Sequence, residues 1–262
     1  MKRIDLYATP SELERASLDA RPILIVDVLR SCTTIATALL NGAAKIIPVK
    51  TVEEATKLHE TLDPKTSLLC GEREGRKVSG FQLGNSPREY TRKKVNGATL
   101  IFASTNASPL MAGPLAGRDQ ILFSYVNLSV VVKAVSGAAS SGLTIVCAGR
   151  NGRLSLEDTA CAGALIRRLS DAAPGLEVND AAAFARDYDL ARGDSPEDIL
   201  RSSEHGRYLI DLGFEEDLPV CAAVDSVPVV PFLKEGRIMA PTAPESGRRT
   251  ASRVVPSPEA RR

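Results

Sequence analysis

The sequence predicts an α/β fold: a mostly parallel sheet with helices on both faces, built as one domain or as two closely packed subdomains. Two observations carry this. Short apolar runs of strand length recur along the chain, and the stretches between them have helical character with start and stop signals. Several runs are continuous rather than alternating, as expected for strands buried on both faces of a parallel sheet. A length of 262 residues suffices to bury such a core.

The elements follow in order. Residues 4–7 alternate polar and apolar and read as a short strand. Thr9-Pro10-Ser11-Glu12 reads as a helix start, with a capping hydroxyl and an early proline. Residues 22–26 form a continuous apolar strand, and residues 33–41 a helix that stops at Asn41-Gly42. Residues 45–49 are a strand, and Thr51 to Glu54 match a capping box that opens a helix running to about Leu62. Residues 67–70 are a short strand, and the polar, glycine-rich residues 71–90 a long loop. Residues 99–103, 121–125 and 143–147 are strands, while 127–136 and 156–169 are helices. Residues 170–215 are helical with breaks at Pro174-Gly175 and Gly193-Asp194, and residues 220–230 return to strand character. From 241 to 262 the chain turns to Pro, Ser, Ala and Arg, a composition that buries no core and predicts a disordered tail; the α/β domain is therefore assigned to residues 1–240.

Composition excludes several function classes. A net charge of +1 argues against nucleic acid as a partner, and 4% aromatic residues with no Trp argue against stacking on bases. The five cysteines, Cys32, Cys70, Cys147, Cys161 and Cys221, are scattered and read as reduced thiols of a cytoplasmic protein. Two histidines, His59 and His205, leave little for a multi-histidine metal site. The first residues lack the apolar core of a signal peptide, and no apolar run reaches membrane-spanning length, so no membrane partner is expected.

Ligands of parallel α/β sheets bind beyond the carboxyl ends of the strands. Five predicted strands here end in polar sequence: Asp27 with Arg30, Ser31, Thr33 and Thr34; Glu72 with Arg73; Ser104, Thr105 and Asn106; Ser124 with Asn127; and Cys147 followed by Arg150. The types suit an anion together with a divalent cation. Arginine forms bidentate hydrogen bonds to phosphate or sulfonate oxygens, and carboxylates with water suit Mg²⁺. Each residue also has an ordinary reading. Asp27 can cap the next helix, Arg30 and Arg73 can be ion-pair partners, Asp158 can serve the first turn of its helix, and Cys147 can be a small buried residue. His59 reads as surface helix; His205 fits either kind of role.

Read in order, Asp27-Val-Leu-Arg-Ser-Cys-Thr-Thr-Ile35, Gly71-Glu-Arg-Glu-Gly75, Gly84-Asn-Ser-Pro87 with Glu89-Tyr90, Ser104-Thr-Asn106, Cys147-Ala-Gly149 through Ser155-Leu-Glu-Asp-Thr159 and Cys161-Ala-Gly163, and Ser203-Glu-His-Gly-Arg207 resemble the 2-phosphosulfolactate phosphatase family over roughly residues 1–233. The resemblance implies a Mg²⁺-dependent phosphatase hydrolysing (2R)-2-phospho-3-sulfolactate to 3-sulfolactate and phosphate, a step toward coenzyme M in methanogenic archaea. It departs from the family pattern at Gln82, where members commonly carry Asp; at Ala107, where Gly is usual; and at Ser31-Cys32, where Ala-Thr is common. On this reading Asp27 and Glu72, with Asp158, hold Mg²⁺, while Arg30, Arg73 and Arg150 neutralise the small anionic substrate. Ser31, Asn85, Ser104, Thr105, Asn106, Ser124 and Asn127 orient its oxygens, and water attacks phosphorus directly, the alternative being a covalent aspartyl-phosphate at Asp27. Leu29 stands where haloacid-dehalogenase-type phosphatases use a second Asp, which favours the direct route. A homodimer is a plausible assembly for such an enzyme. Two alternatives stand beside it: a hydrolase with Cys147 as nucleophile, and a non-catalytic protein that binds an anionic metabolite.

Overall fold

The computed structural model describes residues 3–16, 18–137, 142–173, 175–193 and 195–240. The predicted tail at 241–262, and the predicted breaks at Pro174 and Asp194, lie outside the described residues. In chain order the elements are β1 (Arg3–Tyr7), β2 (Ile23–Val26), α1 (Ser31–Leu40), β3 (Lys45–Pro48), α2 (Val52–Glu60), β4 (Ser67–Arg73), β5 (Arg76–Lys77), α3 (Arg92–Val95), β6 (Thr99–Ala103), α4 (Ala107–Ala112) and β7 (Gln120–Phe123). There follow α5 (Leu128–Ser136), β8 (Leu143–Cys147), α6 (Leu156–Ala172), β9 (Glu177–Val178), α7 (Asp180–Arg192), α8 (Pro196–Ser202), α9 (Glu204–Asp211), α10 (Asp217–Ala222), β10 (Phe232–Lys234) and β11 (Arg237–Met239).

The fold is α/β. The strands form one sheet in the order β5-β4-β6-β3-β11-β10-β7-β2-β8-β1-β9. Pairing is parallel within β4-β6-β3 and within β7-β2-β8-β1-β9, and the β10–β11 hairpin joins these groups through antiparallel pairs on both its flanks. Three antiparallel steps therefore separate β3 from β7, so the two parallel groups run in opposite senses along the ladder. Both still contribute to one core: Ile23 and Ile25 of β2, Ile46 of β3, Leu100 and Phe102 of β6, and Ile35 of α1 pack in a single cluster.

Strand β2 shows why the continuous apolar run was informative. Leu24 and Val26 pack toward α5 and α6, Ile23 and Ile25 toward α1, and all four are buried. Each face of the strand is covered, so neither can be polar. Thr51 caps α2 through the Glu54 N–H at 3.1 Å, and Ser155 caps α6 through the Asp158 N–H at 3.2 Å.

Four expectations are corrected. The 67–70 strand continues to Arg73 and turns at Glu74-Gly75 into β5, so part of the predicted loop is a hairpin. Gly71 permits it: its φ is +135°, and a Cβ there would lie 1.9 Å from the Ala103 carbonyl oxygen. The 121–125 strand ends at Phe123, because Ser124 caps a short 3₁₀ turn at Tyr125–Asn127. The helix predicted from Thr9 is also a 3₁₀ turn, Pro10–Arg15. Residues 220–230 do not form a strand. Cys221 and Ala222 belong to α10, and Pro228 and Pro231 lack the N–H groups a central strand donates. The strands instead follow as β10 and β11.

Candidate active site

The five polar strand ends were expected to converge, and four of them do, those of β2, β4, β6 and β8. Asp27, Arg30 and Ser31 beyond β2, Glu72 at the end of β4, and Thr105 and Asn106 beyond β6 line one narrow cleft together with Asn85, Arg150, His205 and Tyr208. Its cavity is ≈ 60 Å³ and adjoins a wider pocket of ≈ 490 Å³. Arg150, Asn151 and His205 line both, and the wider pocket adds Arg153, Ser155, Glu157 and Glu204.

At the end of β2 the chain turns into α1. Asp27 Oδ1 accepts the Ser31 N–H at 3.0 Å, so Asp27 does cap the turn while facing the cleft. Burial pushes its carboxyl up to about 6, the Glu72 charge acts in the same direction, and the Ser31 hydrogen bonds and His205 oppose. Arg30 is buried and committed: it pairs with Asp217 at 2.8 Å, donates to the Gly75 carbonyl at 2.7 Å and lies 4.2 Å over the Phe214 ring. Asp217 also accepts the Ser86 hydroxyl at 2.6 Å. Asn85 Nδ2 donates to Ser31 Oγ at 3.4 Å, while its buried Oδ1 has no hydrogen-bond partner.

Glu72 ties the second strand group to the cleft. Its carboxylate accepts the Thr105 N–H at 2.7 Å, the Thr105 hydroxyl at 3.0 Å and the Gly75 N–H at 2.8 Å. Asn106 Oδ1 accepts the Asn151 N–H at 3.1 Å, joining the β6 and β8 loops. Arg150 pairs with Glu204 at 2.6 Å and lies 4.4 Å over Tyr208. His205, in the first turn of α9, meets buried Glu157 of α6, Nδ1 to Oε1 at 3.1 Å. Burial alone would raise the Glu157 carboxyl, but the His205 hydrogen bond and charge outweigh it and hold Glu157 below its ordinary range. Glu157 Oε2 has no hydrogen-bond partner.

Other predicted site residues do not line the cleft. Arg73 alternates with Glu72 on the strand and so turns the other way, donating to the Glu72 and Lys50 carbonyls. Ser104 exchanges hydrogen bonds with Ser108 at 3.0 Å at the start of α4. Ser124 and Asn127 close the turn after β7, and Asn127 holds the Val229 carbonyl at 2.9 Å. Asp158 braces two strand ends: its oxygens accept the Val28 N–H at 2.8 Å and the Gly149 N–H at 3.1 Å. Burial, with the charges of Glu157 and Asp27, pushes its carboxyl well up. Gln82, the family departure, is exposed and accepts the Leu69 N–H at 2.8 Å, away from the cleft. Cys147 is fully buried with its thiol pushed well up by burial, and the other four cysteines are likewise buried and free.

Among the described residues no group of three or more His, Cys, Asp or Glu side chains is arranged to hold a metal ion. The expected set of Asp27, Glu72 and Asp158 is thus not a closed cage, because Asp158 is engaged by backbone. The donors of the cleft nevertheless suit Mg²⁺, which needs only one or two carboxylates beside substrate oxygens and water. Asp27, Glu72 and the unpartnered Asn85 Oδ1 present oxygen alone, the donor type Mg²⁺ prefers.

Sequence reasoning passed over Glu157 and Asp217 and left His205 open. The segment Ser203-Glu-His-Gly-Arg207 was a usable signal for His205. Glu157 and Asp217 gave none, since each reads as first-turn chemistry of its helix.

A family model described as 2-phosphosulpholactate phosphatase matches residues 7–236. The chain is 39% identical over 219 residues to a protein of Thermotoga petrophila named "Probable 2-phosphosulfolactate phosphatase", covering 84% of this chain and 92% of the relative. Proteins with the same name from Caldanaerobacter subterraneus subsp. tengcongensis and Carboxydothermus hydrogenoformans are 35% identical over 233 residues and 39% over 239. These cover 89% and 90% of this chain and 96% of each relative.

Proposed function

The chain belongs to the 2-phosphosulpholactate phosphatase family, and from that premise we propose that the cleft hydrolyses the phosphate ester of a small 2-hydroxy acid with the help of Mg²⁺, (2R)-2-phospho-3-sulfolactate being the leading substrate. The observation that carries the reading is the charge balance of the cleft. Asp27, Glu72, Glu74, Glu157 and Glu204 line the cleft and its adjoining pocket, with Asp217 behind Arg30, against Arg30, Arg150, Arg153 and His205. Arg30 and Arg150 each already face a carboxylate. A bed this acidic accepts a phosphate dianion only with added positive charge, which is what a divalent cation brings.

Asp27, Glu72 and Asn85 would hold the ion. Bound there, Mg²⁺ supplies charge to the phosphoryl oxygens and lowers the cost of water attack. The chain's own groups do the positioning. Asn106 and the Ser31 hydroxyl border the narrow cleft and offer neutral hydrogen-bonding groups to a phosphoryl group, while Thr105 donates to Glu72 and holds it in place. Arg150 spans cleft and pocket, where it meets an acid group of the substrate with a planar pair of donors. Phosphoryl transfer depends chiefly on such placement and charge neutralisation. Nothing in the geometry favours Cys147 as nucleophile: a buried thiol with a raised pKa is a poor one.

The test is phosphate release from a panel of phosphorylated 2-hydroxy acids, with Mg²⁺ and with chelator. Release that needs Mg²⁺ is expected. Binding of the panel without any release would instead identify a metabolite-binding protein.

A further inference from the structure

The geometry points to His205 as the acid that protonates the departing alcohol oxygen, with Glu157 as the residue that positions it. This rests on the phosphatase reading above and goes beyond it by naming a proton donor.

The first argument is place. His205 is shared by the narrow cleft and the wider pocket. The narrow cleft, bordered by Asp27, Ser31 and Thr105, has room for little more than a phosphoryl group. A cavity of ≈ 60 Å³ compares with about 10–15 Å³ for each water. The remainder of a phosphorylated acid then extends into the wider pocket, toward Arg150 and Arg153. Its bridging oxygen lies between the two, where His205 stands.

The second argument is orientation. Nδ1 is taken by Glu157 Oε1 at 3.1 Å, and Nε2 has no protein partner among the described residues. A carboxylate on Nδ1 fixes the ring and leaves Nε2 as the nitrogen that faces the cleft, so in the imidazolium form it is the Nε2 proton that reaches the substrate, the arrangement a histidine acid needs. Glu157 itself is 1% exposed, and its second oxygen is unpartnered. Helix packing does not explain a buried carboxylate left half satisfied; holding an imidazolium does.

The step balances. Water oxygen bonds to phosphorus as the bond from phosphorus to the ester oxygen breaks. The Nε2 proton passes to that oxygen, releasing the alcohol. Both water protons stay on the product, which leaves as dihydrogen phosphate, and the neutral imidazole regains a proton from solvent.

Leaving-group dependence tests this. A phenol, with a pKa of about 10, leaves without help far more readily than an aliphatic alcohol, so an enzyme lacking its acid should lose the alkyl ester and spare the aryl one. The probes are 2-phospholactate and 3-carboxyphenyl phosphate, each carrying a carboxylate, the second with a leaving phenol that has no internal acid. His205→Gln should cut kcat on 2-phospholactate by about 10²–10³-fold and on the aryl ester by less than about 10-fold. Glu157→Gln should show the same split at about 10–10²-fold, a selectivity that mere loosening of α6 and α9 does not produce. Wild type should also show a normal solvent deuterium isotope effect on 2-phospholactate that His205→Gln abolishes. Circular dichroism confirms that both variants fold. Equal losses on the two esters, unchanged turnover of 2-phospholactate, or no isotope effect in wild type would overturn the role of His205. Wild type that releases phosphate from neither ester would instead overturn the phosphatase reading.

Discussion

Asp27→Asn should destroy turnover and at the same time stabilise the protein. The Asp27 carboxyl moves from the ordinary 3.8 to about 6 on folding, with burial the largest cause. The folded protein therefore binds this proton more tightly than the unfolded chain does. Stability falls as the pH rises from about 4 to about 6, and the full cost is present above about 6. A gap of about two pH units, at roughly 1.36 kcal/mol each, amounts to about 3 kcal/mol. Asparagine removes that cost and keeps an oxygen for the Ser31 N–H. Its added amide N–H groups enter a buried site, at about 1–2 kcal/mol if unpaired. The net gain is about 1–2 kcal/mol, a rise in melting temperature of roughly 2–8 °C. The assay is thermal unfolding followed by circular dichroism at pH 7 with chelator, repeated at pH 4, where wild type no longer carries most of the ionisation cost and the variant, still carrying its unpaired amide, should fall below wild type by about 1 kcal/mol. Phosphate release measured in parallel with Mg²⁺ should fall by at least about 10²-fold. A melting temperature lowered at pH 7, or retained release, would refute the reasoning.

Asp217→Ala should cost about 3–5 kcal/mol, because it strands the buried guanidinium of Arg30; Asp217→Asn, which keeps the hydrogen-bond geometry, should cost less. Denaturant unfolding checks this, and a loss under about 1 kcal/mol for Asp217→Ala would show that Gly75 and Phe214 suffice to hold Arg30. Arg150→Ala should lower kcat/KM by roughly 10–10²-fold, the worth of a charged hydrogen bond, whereas Arg73→Ala should change it less than about 3-fold. Steady-state kinetics that rank the two the other way would place the anion on the opposite side of β4. Gln82→Asp should leave kcat within about 2-fold, since position 82 meets only the edge of β4; a larger change would mean that the departure from the family pattern reaches the site.

The candidate site was partly legible in the sequence. Asp27, Glu72, Thr105, Asn106 and Arg150 were readable because each follows a buried strand, where a polar side chain has no core reason to be. Arg73, Ser104, Ser124 and Asn127 satisfied the same rule and yet hydrogen-bond to the fold itself. The rule identifies the end of a strand but not which way a side chain turns, and alternation along β4 sends Glu72 inward and Arg73 away. His205 could not be placed because its role depends on Glu157, 48 residues earlier.

By itself the sequence determined the α/β class, the buried strands and most helix limits, because apolar periodicity, caps and glycines act within a few residues of chain. Only the tertiary structure decided that the hairpin of β10 and β11 enters the middle of the sheet and reverses the sense of β4-β6-β3 relative to the rest. Strand pairing is set by the backbone hydrogen bonds and packing of residues far apart in sequence, and a local pattern carries no record of which partner a strand will find. Glu72 and Thr105 reach the same cleft as Asp27, and the contact between His205 of α9 and Glu157 of α6 completes it.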